Sequence, residues 1–300
     1  MQIKQFKLGI SAAASWAWGV SLGVSFSILK TMGLHSFLPW AVCNILSLFI
    51  YGAFVRKYPG YIKLKNSIFI KLAMIGIQIF CIWINIRIMA TYIGNGWATT
   101  VATIIFLLTY KYKFKFSVES DQWQYLAMVG GLVLVILTGK FNLNVLNYQP
   151  VNVSWVVSAC IGLMAGPFLD GQQFQRAERI KGVNPWLLAS LAFGLYLSLV
   201  FFAFLSQGAI SQILFAIIII AVATSTLDSC IAALQDLSGD ILAVVISVAA
   251  LFSWPLFATK TATQIWTWYA TARIFIVMPM ILYTVWGYRR WNNGKKISIL

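Results

Sequence analysis

From Leu8 to Tyr288 the sequence is a succession of apolar runs, each about twenty residues long, set apart by short polar or basic stretches. A helix crosses about 30 Å of hydrocarbon in roughly 20 residues, and in that medium every backbone amide must be satisfied within its own element. Membrane helices are therefore expected. With 60% hydrophobic and 10% charged residues and a mean hydropathy of +0.83, a soluble globular domain is excluded. The runs predict ten spans, near 8–29, 35–55, 67–89, 92–110, 122–140, 150–178, 185–206, 209–235, 240–259 and 264–288. The segment after Lys7 lacks a small-residue cleavage pattern and reads as the first span rather than a signal peptide. Cys43, Cys81, Cys160 and Cys230 fall inside apolar runs without metal spacing and are expected as buried small residues.

A net charge of +15 would suggest nucleic acid in a soluble chain, but its placement here argues for topology. Seventeen of the 22 Lys and Arg lie at the N-terminus, in the even-numbered loops and at the C-terminus. The positive-inside rule then places both termini in the cytoplasm of a multi-pass protein of the cell membrane. The loop between spans eight and nine departs from this, with Asp236 and Asp240 and no base. The alternation Tyr110–Phe116 of aromatic and basic residues suits lipid headgroups better than nucleic acid. Arg87 and Arg273 lie inside spans three and ten, where they pair with acids or, for Arg87, snorkel outward. Five spans fill residues 1–147 and five fill 148–300, so the second half enters the membrane from the opposite side. That is the condition for an inverted repeat.

Span eight carries the most expensive stretch, Ala223-Thr224-Ser225-Thr226-Leu227-Asp228-Ser229-Cys230. Ser225, Asp228 and Ser229 share one helical face. Hard oxygen donors converging at membrane depth suit a small cation such as Na+. The same small polar residues also make an ordinary hydrogen-bonded helix seam.

Span six holds a break, Gly162-Leu163-Met164-Ala165-Gly166-Pro167-Phe168-Leu169-Asp170. Pro167 lacks an amide donor and biases Gly166 away from helix, so Gly166 is expected to cap a new half-helix with Pro167 in its first turn. Asp170, Gln172, Gln173 and Gln175 then lie on the inner half-helix, facing a solute or a gate; a plain proline kink is the alternative. In span one, Gly19 and Gly23 permit either local unwinding or close helix packing, with Trp16 and Trp18 beside them.

Three stretches, Ser15 to Leu22, Gly166 to Ala177 and Ser225 to Ser229, resemble the sodium/solute symporter family. The resemblance implies an all-α integral membrane protein of LeuT type: ten transmembrane helices as a 5+5 inverted repeat, helices 1 and 6 interrupted. It implies a Na+ site of Ser225 and Thr226 hydroxyls with carbonyls near Trp18, Ser21 and Val222. Asp228 would stand near a second cation position, strengthening Na+ binding or carrying H+. The solute pocket would be lined by Ser15, Trp16, Ser21, Gly166, Asp170 and Gln173, and suits a small polar solute. The chain is shorter than family members usually are, and span five from Tyr125 to Lys140 has no acid where some members place a cation ligand. One Na+ per cycle is therefore expected.

The implied activity is Na+-coupled uptake by alternating access, with no enzymatic step and with membrane lipid, not nucleic acid, as a further partner. A ten-span drug/metabolite-type exporter fits the length as well. A membrane prenyltransferase would use the Asp-x-x-x-Asp spacing of Asp236 and Asp240 to hold magnesium, but no second acid-rich loop accompanies it.

Overall fold

A computed structural model describes residues 2–17, 19–146, 150–207, 211–257, 259–260 and 262–292. The described chain is almost wholly helical. Its helices are α1 (Gln2–Trp16), α2 (Gly19–Thr31), α3 (Leu34–Lys57), α4 (Ile68–Ile93), α5 (Asn95–Thr138) and α6 (Val153–Ala165). There follow α7 (Gly171–Ala177), α8 (Asn184–Leu205), α9 (Ser211–Ser238), α10 (Asp240–Ser253) and α11 (Ala262–Asn292). A two-residue antiparallel pair, β1 (Lys140–Phe141) with β2 (Ser206–Gln207), ties the ends of α5 and α8.

Six of these helices are long and apolar enough to cross a membrane, and eight spans result if each of two bent helix pairs counts as one. The pairs are α1 with α2 and α6 with α7, and each bends by 50°. Side chains are sorted as a bilayer requires. Phe69, Ile241 and Phe252 stand outside, each about four-fifths exposed, while Asp121, Asp170, Asp228, Arg176 and Arg273 are buried. This is an all-α, membrane-embedded protein.

Helix ends follow from local chemistry. Gly94 (φ 83°) and Gly239 (φ 78°) take a backbone conformation that side chains resist, which lets α4 turn into α5 and α9 into α10 without a loop. The expected basic loop between spans four and five is absent. Residues 110–122 contain no Gly or Pro, and the chain is helical through them except at Lys113, where two helices meet without a loop. It bends only at Lys113, the one described non-glycine residue with positive φ (φ 55°, ψ −149°), so α5 has two arms. Extending the second arm below residue 122 brings Asp121 into the bundle, which corrects the expectation that this span holds no acid.

The break in the sixth span is present but built differently from expectation. Gly166 remains right-handed helical (φ −51°, ψ −61°), and Gly166–Phe168 forms a single tighter turn. Asp170, not Gly166, caps the fresh half-helix, accepting from the Gln172 amide at 3.0 Å. At the centre runs α9, buried on every side from 221 to 235 and packed against α1, α4, α5, α7 and α10.

Candidate functional site

The polar residues of α9 meet α5, α7 and α1 in one buried network. Ser225 donates to Asp121 Oδ1 at 2.6 Å, and Ser11 of α1 donates to the other oxygen of the same carboxylate. Arg176 of α7, fully buried, places Nη2 at 2.9 Å from both Asp121 Oδ2 and Ser229 Oγ. Its Nε donates to Ser11 at 3.0 Å and Nη1 to the Gln172 carbonyl at 3.1 Å. Ser229 of the eighth span and Ser11 of the first thus face the Arg176 guanidinium, while Ser225 faces Asp121. A buried Arg–Asp pair is tolerable because its remaining donors and lone pairs are satisfied. Arg176, expected among the bases of the cytoplasmic loops, is instead fully buried.

One helical turn further along α9, Asp228 accepts from Ser120 at 2.7 Å, Ser229 at 3.2 Å and Gln124 at 3.3 Å. All three donors are neutral, and among the described residues Asp228 makes no ion pair. It is a fully buried carboxylate without a fixed cation. The other members of the expected Na+ site are spread along their helices. Thr226, fully buried, donates to the Val222 carbonyl at 3.3 Å, and the Ser21 carbonyl accepts from Ser25. Trp18 lies outside the described residues.

The expected solute residues pair across the two helix breaks. Gln173 Nε2 donates to Ser15 Oγ at 3.1 Å. A Cβ on Gly166 would lie 2.4 Å from the Trp16 ring and 2.6 Å from Arg273 Nη1, so only glycine lets the sixth span approach both. Asp170 is turned inward, with Oδ1 accepting from Gln78 at 3.2 Å as well as from the Gln172 amide. Between the breaks is a small cavity of about 20 Å³, lined by Trp16, Ser21, Trp40, Asn44, Trp266 and Arg273, with Leu163 as its apolar wall. That exceeds the roughly 10–15 Å³ one water needs. Trp16 Nε1 donates to Asn44 Oδ1 at 2.9 Å, fixing one wall.

Asp121, Arg176, Asn44 and Arg273 were the residues that sequence reasoning left out of the site. A usable signal existed for Asp121: Ser117, Asp121, Tyr125 and Met128 recur at helical spacing and are all buried. The acids of the prenyltransferase alternative have separate lysine partners, Asp236 with Lys65 at 2.9 Å and Asp240 with Lys113 at 2.8 Å. No group of three or more His, Cys, Asp or Glu able to hold a metal occurs among the described residues. No protein-family model matches the chain, and no curated protein matches it at a significant level.

Proposed function

We propose that the protein is a secondary active transporter that takes up a small polar solute with Na+ by alternating access. The observation that carries this reading is the meeting of two broken helices, bent alike by 50°, beside one small cavity lined by Trp16 and Ser21 of the first pair and Leu163 of the second, with Gly166 packed against Trp16. Backbone freed at membrane depth is tolerable only around a cavity or a bound solute. The reading takes α5 as two spans divided at Lys113 and α10 with its following turn as one, which makes ten. Residues 1–147 and 148–300 are then inverted halves of a LeuT-type fold, with both termini cytoplasmic in the cell membrane.

In this mechanism Arg176 and Asp121 cancel, and Asp228 supplies the charge that attracts the coupling ion. Na+ sits against α9 with the hydroxyls of Ser225 and Thr226 and carbonyls near Trp18, Ser21 and Val222. Its binding draws the first span onto α9 and shapes a solute pocket at Ser15, Trp16, Gly166, Asp170 and Gln173, which adjoins the small cavity through Trp16. Linkage requires the solute to tighten Na+ binding by the factor by which Na+ tightens the solute. The membrane potential adds about 2.3 kcal/mol per charge per 100 mV to inward Na+ movement.

The test is the melting midpoint of purified protein in sodium against potassium at equal ionic strength, followed by uptake into proteoliposomes under a sodium gradient. Sodium-specific stabilisation erased by Asp228→Asn and by Ser225→Ala, together with gradient-driven uptake, is the expected result. Stability equal in both salts but rising as pH falls, with Asp228→Asn insensitive to either, transfers the coupling to H+ and removes Na+ from the mechanism.

A further inference from the structure

The cavity between the helix breaks has an unbalanced hydrogen-bonding inventory. Arg273 projects from the face of α11 that also carries Trp266, Ala270, Val277 and Met280, all buried, so the guanidinium occupies a position where the helix otherwise presents apolar side chains. It is only 2% exposed, stacks on the Tyr269 ring at 3.7 Å, and makes no ion pair among the described residues. Among the described residues its Nε and Nη1 have no hydrogen-bond partner. Trp40, 1% exposed, lines the same cavity, and its Nε1 is likewise without a partner among the described residues. Asp170 acts on Arg273 only through space, at longer range than an ion pair; its Oδ1 caps α7, and its Oδ2 is buried without a hydrogen-bond partner among the described residues.

Three unmet N–H donors at one small cavity, one group of them permanently charged, are costly unless a guest supplies acceptors. Water has two lone pairs and no charge, so it leaves the guanidinium without a contacting counter-charge. A carboxylate offers two acceptor oxygens and the opposite charge, in the planar geometry a guanidinium matches. We infer that Arg273 and Trp40 form the receptor for the carboxylate of the solute, so that the transported molecule is a carboxylic acid or a zwitterion. This rests on the transport reading for its physiological meaning, while the receptor itself is a binding site that stands apart from it. In the structure the cavity is little larger than one water, so it must widen to admit a carboxylate head, and the rest of the solute lies outside it.

The experiment uses the full chain, purified, with tryptophan fluorescence and melting midpoint as readouts, because three tryptophans line the cavity. Acetate, acetamide and chloride are titrated at constant sodium and ionic strength. Acetate is expected to shift both readouts saturably, acetamide not at all, and chloride less than acetate. Loss of a charge-assisted bond is worth about a tenfold or greater weakening, the change expected for acetate in Arg273→Gln. Trp40→Phe, which removes one donor and keeps the packing, is expected to weaken acetate by about tenfold or less and serves if Arg273→Gln fails to fold. Equal shifts with acetamide, shifts with chloride alone, or acetate binding unchanged in Trp40→Phe would each overturn the assignment. The two readings separate in proteoliposomes. Acetate binding without any sodium-driven uptake sinks the transporter and leaves the receptor. Sodium-driven uptake of amino acids that Arg273→Gln leaves unaltered sinks the receptor and leaves the transporter.

Discussion

Asp121 shows how one carboxylate can organise a membrane protein's interior. It accepts from Ser11, Ser225 and Arg176, drawing α1, α9 and α7 onto the second arm of α5. Removing one partner of a fully buried ion pair costs far more than the pair is worth, because the survivor is left charged in a low dielectric. Asp121→Asn is therefore expected to destabilise the protein by about 3–5 kcal/mol. The double variant Asp121→Asn with Arg176→Gln should recover a large part of that loss. Chemical unfolding of the three proteins in detergent measures both; a double variant no better than the single would mean the charges do not act as a pair.

At the scale of an element, the bend in α5 is stored strain. Lys113 holds φ 55° and ψ −149°, a region that is essentially reserved for glycine and costs about 1–3 kcal/mol for other residues. Its compensation is slight: the ion pair with Asp240 has both side chains about half exposed, and such pairs contribute about 0–1 kcal/mol. Lys113→Gly is accordingly expected to raise the melting midpoint with the helical circular dichroism unchanged. A fall would show that the lysine's contacts outweigh its strain. The helix on either side of the bend also packs usefully, since Phe114 carries the Arg179 guanidinium over its ring at 4.3 Å. The aromatic–basic run thus serves packing as well as surface.

Across the whole molecule, one ionic junction outside the spans ties distant segments. Lys65, in the turn Pro59–Asn66 between α3 and α4, lies 2.5 Å from Glu178 after α7 and 2.9 Å from Asp236 near the end of α9. Burial by itself lowers the lysine's pKa, but hydrogen bonds to Glu178 and Asp236 and their charges outweigh it, so the group ends above the ordinary 10.5. A raised folded-state pKa means that this contribution is fully present below 10.5 and is lost as pH climbs through the folded value. The stability difference between wild type and Lys65→Met should therefore stay constant through neutral pH and shrink in strongly alkaline buffer, as read from melting midpoints. A difference that grows with pH would contradict the junction.

The apolar runs by themselves determined the helical class and most helix limits, because hydrocarbon leaves the backbone no other way to satisfy its amides. Leu34–Lys57 and Asn184–Leu205 agree within a few residues with the expected 35–55 and 185–206. Pro167 likewise marked the break in the sixth span, since the lost donor is a local fact. What lay beyond the sequence was partnership. Whether Ser225 faces a free ion or a carboxylate, and whether Arg176 is a loop base or a buried cation, depends on which helices neighbour each other. Hydropathy periodicity carries no record of that. The same holds for Arg273 and Trp40: they stand 233 residues apart in the sequence, and only the packing of α11 and α3 near the two helix breaks brings both to the lining of one cavity.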